Sequence, residues 1–419
     1  MAVVDLDENI LFLHQRDPYL RELAPLLPAS KSESNRALII GALCEKTTGQ
    51  KCQLYNLSAA KDTQVLQQLL ASEQECLDAG EAGTTFRFLT AYAAALQRPT
   101  LLTGSTRMQE RPIAPLVEAL QHLGATITYE NKLGFPPLRL SGFTTPKKEN
   151  AKIKIAGNVS SQFISALLLI APVLPFGLQI ELVPPITSVP YIQMTLDLMK
   201  HFGILWSWHH NRIIVPHQVY RPALYRVESD WSAASYWYAF LALSEQGEIF
   251  LAGLKEKSLQ GDIRIVRLMR HLGVRTVFER EGVRLFKSRH VKSSVEFDFT
   301  DCPDLAQTVA VVCAAKGIRA KLKGLHTLRH KETDRLQAVC TELRKMGADC
   351  QIVGNSWVLN PARLFRPYDP ISTYQDHRMA MAFAPLSLLF PIQIEKPEVV
   401  RKSYPHFWQE LEKAQWLLG

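Results

Sequence analysis

Four stretches of the chain repeat one arrangement of apolar and polar positions. They are Leu120-Gln-His-Leu-Gly124-Ala-Thr-Ile, Met199-Lys-His-Phe-Gly203-Ile-Leu-Trp, Met269-Arg-His-Leu-Gly273-Val-Arg-Thr and Arg344-Lys-Met-Gly347-Ala-Asp-Cys. In each, an apolar stripe at helical spacing stops at a glycine, the residue most easily placed in the left-handed conformation that closes a helix. A strand-like run, a turn and a second strand-like run follow, with the turns at residues 130–134, 209–211, 279–282 and 354–356. The glycines are spaced by 79, 70 and 74 residues. A unit of that length, repeated, predicts a modular α/β architecture of βαβαββ modules. The stretch from Asp62 to Gly83 is shorter, so one module is expected to lack a hairpin. No low-complexity linker interrupts the chain, which predicts short ordered crossings between domains.

Six helix starts share a second pattern, in which polar or charged side chains precede or open an apolar helix. They are Lys31-Ser32-Glu-Ser-Asn-Arg36, Gly83-Thr84-Thr85-Phe-Arg87, Ser160-Ser161-Gln162, Pro303-Asp304, Lys331-Glu332-Thr-Asp-Arg335 and Asp376-His377-Arg378. Ser32 and Arg36 are four apart and share one helical face. A helix N-terminus offers free backbone N–H groups and partial positive charge, so it suits phosphate or carboxylate. Taken singly, each is an ordinary capped helix. Together they carry Lys31, Arg36, Lys331, Arg335 and Arg378, and clustered cations without anionic partners are costly. The set predicts a site for multiply charged anions. Two loops add basic residues: Arg107 and Arg111 in Thr106–Pro112, and Arg401 and Lys402 in Pro397–Pro405.

Composition narrows the partners. The 419 residues are 47% hydrophobic and 21% charged, which fits a folded chain of two or three domains. The formal charge of +8 could attract nucleic acid or small anions. No basic patch is interleaved with aromatics, which favours small anions. The seven cysteines are odd in number and form no C-x-x-C pair, so neither disulfides nor a metal site is expected. The most apolar stretch, 163–176, is too short for a membrane span and contains Pro172 and Pro175. The first eight residues lack the basic start and apolar run of a signal peptide. A soluble, cytoplasmic protein that binds neither nucleic acid nor membrane is expected.

Taken in order, these segments resemble the signature motifs of the 5-enolpyruvylshikimate-3-phosphate synthase family. The resemblance runs from about residue 27 to Phe407. It is carried by Lys31-Ser-Glu-Ser-Asn-Arg, Ala82-Gly-Thr, Arg107-Met-Gln-Glu-Arg-Pro-Ile, Val159-Ser-Ser-Gln-Phe, Pro190-Tyr-Ile, Ser232-Ala-Ala-Ser-Tyr, Pro303-Asp, Lys331-Glu-Thr-Asp-Arg and Asp376-His-Arg-Met-Ala-Met. The resemblance implies two similar domains, each of three βαβαββ modules (an inside-out α/β barrel), with the active site in the interdomain cleft. One domain would cover 28–227, and 1–27 would join 228–419 in the second.

It also implies the reaction: the enolpyruvyl group of phosphoenolpyruvate goes to the 5-hydroxyl of shikimate-3-phosphate, and phosphate leaves. Ser32 and Arg36 would hold the shikimate-3-phosphate carboxylate. Its phosphate would meet Ser160, Ser161 and Ser188, with Gln162, Tyr191 and Lys331 nearby. The phosphoenolpyruvate phosphate would meet Lys31, Gly83, Arg111, Gln162 and Lys402, and its carboxylate Arg335 and Arg378. Asp304 would act as base with Lys31 as a catalytic residue helping to stabilise charge, and Glu332 would exchange the proton at C3. No cofactor, no metal and a monomer are expected. This sequence departs from the family pattern at Glu81 and Thr327, where asparagines are usual. The alternatives are the sister transferase acting on UDP-N-acetylglucosamine and a non-catalytic relative. The first usually carries a cysteine in the loop that is here Arg107 to Pro112.

Overall fold

The structure is a computed structural model that describes residues 9–15, 17–143 and 151–418; the first eight residues, on which the signal-peptide reading rests, lie outside them. The chain folds as two compact units. One is Ala29–Val227, and the other joins the chain up to Pro28 with the chain from Glu228 onward.

Four sheets of four strands repeat one plan. In the first, Cys76–Asp78 leads through the helix Gly83–Ala95 to Thr100–Thr103, and the helix Ala114–His122 leads to a hairpin of Ala125–Tyr129 and Leu138–Phe143. The first two strands pair in parallel, and the hairpin joins antiparallel to the second through its own last strand. The same order recurs in the sheets that begin at Lys152–Ala156, Tyr19–Leu23 and Ser294–Asp298. A helix between parallel strands is what such a pairing needs, since a tight turn cannot reverse the chain twice.

The repeated glycines close the module's second helix as the sequence predicts. Gly124, Gly203, Gly273 and Gly347 all have φ between 83° and 101°, where a side chain would be strained. The missing hairpin is also real. No hairpin follows the helix Lys61–Ala71, and the sheet of Gln53–Tyr55 and Leu224–Arg226 has two strands.

The unit that contains the chain start is discontinuous in sequence. Tyr19–Leu23 pairs in parallel with Gln246–Ala252, and Ile10–His14 pairs with Ile392–Glu395. Its core gathers Trp231, Trp237, Trp357, Trp408 and the buried faces of the helices Trp231–Leu243 and Ala306–Ala315. Five of the seven cysteines are buried, Cys52 is half-buried and Cys76 is exposed. Among the described residues no helix is long and apolar enough to cross a membrane.

Candidate functional site

In the unit Ala29–Val227, four helix N-terminal segments are tied to one another by side chains from their first two turns. Ser30 caps the helix Lys31–Thr48, and Ser160 caps Ser161–Ile170 by accepting from the Gln162 N–H. Arg36 joins three of these helices. Its Nε donates to Thr195 Oγ1 at 2.8 Å, and its Nη2 to Ser165 Oγ at 3.0 Å and the Tyr191 carbonyl at 3.3 Å. Its Nη1 donates to the Ser32 carbonyl at 2.8 Å. Four of five guanidinium N–H groups are therefore used internally, and the residue is only 2% exposed. Burial lowers its pKa to about 10, so it stays a cation at neutral pH. In this structure Arg36 acts as a brace beneath Ser32 and Tyr191.

The fourth helix, Gly83–Ala95, is linked through Gln162 Nε2, which donates to Thr84 Oγ1 at 2.9 Å. Thr85 Oγ1 donates to the Asp62 carbonyl at 2.9 Å, and the Asp62 carboxylate pairs with Lys31 Nζ at 3.0 Å. Gly83 stands against two guanidiniums: a Cβ there would lie 2.5 Å from Arg111 Nη1 and 2.6 Å from Arg87 Nη1. Arg111 Nε and Gln162 Oε1 are buried without hydrogen-bond partners. Buried polar atoms are normally satisfied, so both point to a polar ligand beside the Gly83 helix start.

Ser188 adopts a left-handed backbone, φ 55°, at the start of the helix Val189–His201. A non-glycine residue there is strained, a feature that clusters at ligand sites. The Thr187 N–H donates to the Gly157 carbonyl at 3.0 Å, which holds the Ser188 turn beside the turn leading into Ser160 and Ser161.

The other unit holds a second cluster, built from ion pairs. Arg335 opens the helix Arg335–Lys345 and is 1% exposed. Its Nε and Nη2 clasp both oxygens of Asp376 at 2.6 and 3.2 Å, Nη1 reaches Asp304 Oδ1 at 3.0 Å, and Nη2 reaches Glu332 Oε2 at 2.8 Å. Arg378 Nη2 donates to Asp304 Oδ2 at 2.9 Å and lies 3.4 Å from Ser232 Oγ. Its Nη1 is 3.3 Å from both the Tyr236 hydroxyl and the Asp304 carbonyl. Lys331 Nζ stands 3.5 Å from Asp304, and Lys402 Nζ 3.6 Å from Glu332.

Within the protein these cations already meet carboxylates. Lys331, Arg335, Arg378 and Lys402 face Asp304, Glu332 and Asp376 within the protein, because buried charge needs a counter-ion. Burial on its own would raise the pKa of Asp304, but Arg378, then Lys331 and Arg335, outweigh it and hold the carboxyl well below its ordinary range.

Several contributors carried no role in the sequence reading. Ser232 and Tyr236 stood inside a recognised motif, and Asp376 stood beside Arg378. Asp62, Ser165 and Thr195 gave no local signal, since only the tertiary fold brings them to the charged groups. The segment 106–112 is not a plain loop: Ser105 caps a short helix, Thr106–Gln109, and Arg107 pairs with Glu110 at 2.9 Å. The basic pair Arg401–Lys402 likewise ends a 3₁₀ turn, Pro397–Lys402. Glu81 is exposed on its turn, and the Thr327 hydroxyl is buried without a hydrogen-bond partner.

Comparison with known proteins agrees across the chain. The sequence model for EPSP synthase (3-phosphoshikimate 1-carboxyvinyltransferase) matches residues 58–411. A 3-phosphoshikimate 1-carboxyvinyltransferase of Bacteroides fragilis is 48% identical over 93% of this chain and 94% of its own. One from Methanospirillum hungatei is 34% identical over 92% and 94%. An EPSP synthase structure from Acinetobacter baumannii superposes with a TM-score of 0.77 over 98% of this chain and all of the other, at 19% identity. The chain belongs to the EPSP synthase (3-phosphoshikimate 1-carboxyvinyltransferase) family.

Proposed function

We infer that this chain transfers the enolpyruvyl group of phosphoenolpyruvate to the 5-hydroxyl of shikimate-3-phosphate and releases phosphate. The observation that carries the reading is the Asp304–Glu332–Arg335–Arg378 cluster, in which two candidate proton carriers are held by guanidiniums suited to a carboxylate.

The chemistry fits these groups. The 5-hydroxyl oxygen adds to C2 of phosphoenolpyruvate, its proton leaves, and a proton is delivered to C3. Loss of a C3 proton from the tetrahedral intermediate then restores the vinyl group and expels phosphate. Asp304 is assigned as the base for the hydroxyl, and Glu332 as the group that gives and later removes the C3 proton. In the ligand-free protein Asp304 is a weak base, because three cations stabilise its charge. A substrate carboxylate at Arg335 and Arg378 would share those cations and raise the proton affinity of Asp304. Substrate binding would thus prepare the base.

The remaining assignments follow the anion sites. Gly83, Arg111, Gln162 and Lys31, together with Lys402, are assigned to the phosphoenolpyruvate phosphate. The Ser160, Ser161 and Ser188 hydroxyls, with Tyr191 and Lys331, are assigned to the phosphate of shikimate-3-phosphate. Ser32 meets its carboxylate, and Arg36 acts there through the helix start it braces. A soluble, cytoplasmic monomer without cofactor or metal completes the reading.

The test is phosphate release from phosphoenolpyruvate with and without shikimate-3-phosphate, with the product identified by mass. Release should depend on shikimate-3-phosphate and fall about 10²–10⁴-fold in Asp304→Ala and in Glu332→Ala, the usual worth of a positioned proton carrier. Release that instead depends on UDP-N-acetylglucosamine would overturn the acceptor assignment.

A further inference from the structure

Asp262 is a buried carboxyl with no assigned role, one side chain away from the proposed carboxylate-binding arginine. It lies in the 3₁₀ turn Gly261–Arg264 and is 4% exposed. Ser232 Oγ donates to its Oδ2. Its other oxygen, Oδ1, is buried and has no hydrogen-bond partner. The same Ser232 Oγ lies 3.4 Å from Arg378 Nη2, which in turn holds Asp304. Asp262, Ser232, Arg378 and Asp304 therefore form one polar chain.

We propose that Asp262 is a positioning residue that carries a proton when an anion binds at Arg378, and that this proton turns the Ser232 hydroxyl toward that anion. A hydroxyl has one hydrogen and two lone pairs. With Asp262 ionised, Ser232 spends its hydrogen on the Asp262 carboxylate. With Asp262 neutral, the acid O–H donates to Ser232, and the serine hydrogen is released to an acceptor beside Arg378. The inference rests on the reading that Arg378 receives the phosphoenolpyruvate carboxylate.

The surroundings support a proton at this position. Among the described residues no salt bridge links Asp262 to a cation. Burial raises its pKa first and Asp304 raises it next; Arg378 and the Ser232 hydrogen bond oppose them, and Asp230 adds to the rise. The balance lies at about 7. The Cys302 thiol also faces it, and is pushed up to about 12 by its own burial and then by the Asp262 charge. Arg264, on the same turn, is engaged with Asp301 at 3.0 Å. An incoming carboxylate adds another negative charge, so binding draws a proton to Asp262. By linkage, the protonated form binds that carboxylate more tightly.

The experiment is the KM for phosphoenolpyruvate from pH 6 to 8.5 in the parent enzyme, Asp262→Asn and Ser232→Ala, with the KM for shikimate-3-phosphate as internal control. Differences between parent and variant cancel the titration of the substrate itself. In the parent, KM for phosphoenolpyruvate should climb above neutral pH, at most about tenfold per pH unit for one coupled proton. Asp262→Asn, a neutral mimic of the acid, should flatten that climb. Ser232→Ala should raise KM most at low pH, where the hydroxyl serves the anion, and least at high pH. A purely structural role predicts penalties independent of pH. Variants with the parent's pH slope would overturn the proposal while leaving the functional reading intact, whereas a parent without turnover would overturn both. If Asp262→Asn does not fold, the low-pH penalty of Ser232→Ala decides alone.

Discussion

Among single residues, half-buried cations show how position overrides identity. Lys287 Nζ donates to the carbonyls of Leu241 at 3.2 Å and Ala242 at 2.6 Å, and Lys316 Nζ donates to the same Ala242 carbonyl at 2.8 Å. Both lysines thus cap the C-terminal end of Trp231–Leu243, where positive charge is favoured. Burial, and then the charge of Lys316, push the Lys287 pKa down to about 7. An unfolded lysine titrates near about 10.4. Between those values the unfolded chain binds more protons than the folded one, so this site's contribution to stability rises with pH and its penalty is full below 7. Lys287→Met should therefore melt higher relative to the parent at pH 7 than at pH 10, by a few degrees. An equal difference at both pH values would count against this account. Nothing in the local sequence marks Lys287, since its partner is 29 residues away and both are brought together by packing on one helix end.

At the level of elements, the legible features were those written in short-range chemistry. Helix-closing glycines, serine and aspartate caps, and turn residues predicted the modules and the polar helix starts. The segment 106–112 was less legible because a four-residue helix carries no apolar stripe to reveal it. The helix Gly83–Ala95 offers a direct test of the anion-site reading. Gly83 has no positive φ that would exclude alanine, so Gly83→Ala should keep the fold. Its methyl must displace the ends of Arg111 and Arg87. We expect the KM for phosphoenolpyruvate to rise about tenfold, a loss near 1.4 kcal/mol, with a smaller change in kcat. Steady-state kinetics on both substrates separates this from a general defect, which would lower kcat for the pair alike.

Across the whole molecule, the unit that joins the chain start to residues 228 onward depends on strands from the N-terminal segment. Leu11, Leu13 and Leu20 are buried there, and their strands extend two different sheets. A fully buried leucine is worth about 1.5–3 kcal/mol, so three of them approach the 5–15 kcal/mol that holds typical domains together. Removing residues 1–24 should abolish the cooperative melting of that unit while Ala29–Val227 still unfolds cooperatively. Calorimetry or circular dichroism would then show cooperative melting of Ala29–Val227 alone; an unchanged melting profile would refute the dependence.

The sequence by itself determined the module, its period, the polar helix starts and the identity of most charged groups, because each is set by neighbours within a few turns of chain. It also carried the family resemblance that the relatives bear out. Only the tertiary structure decided how those charges are balanced. That Arg335 is clasped by Asp304 and Asp376 depends on segments far apart in the chain. So do the burial of Arg36 under three helix starts and the placing of Asp262 behind Ser232. Charge and hydrogen-bond balance are properties of distance and solvent exclusion, and a linear sequence specifies neither until it is folded.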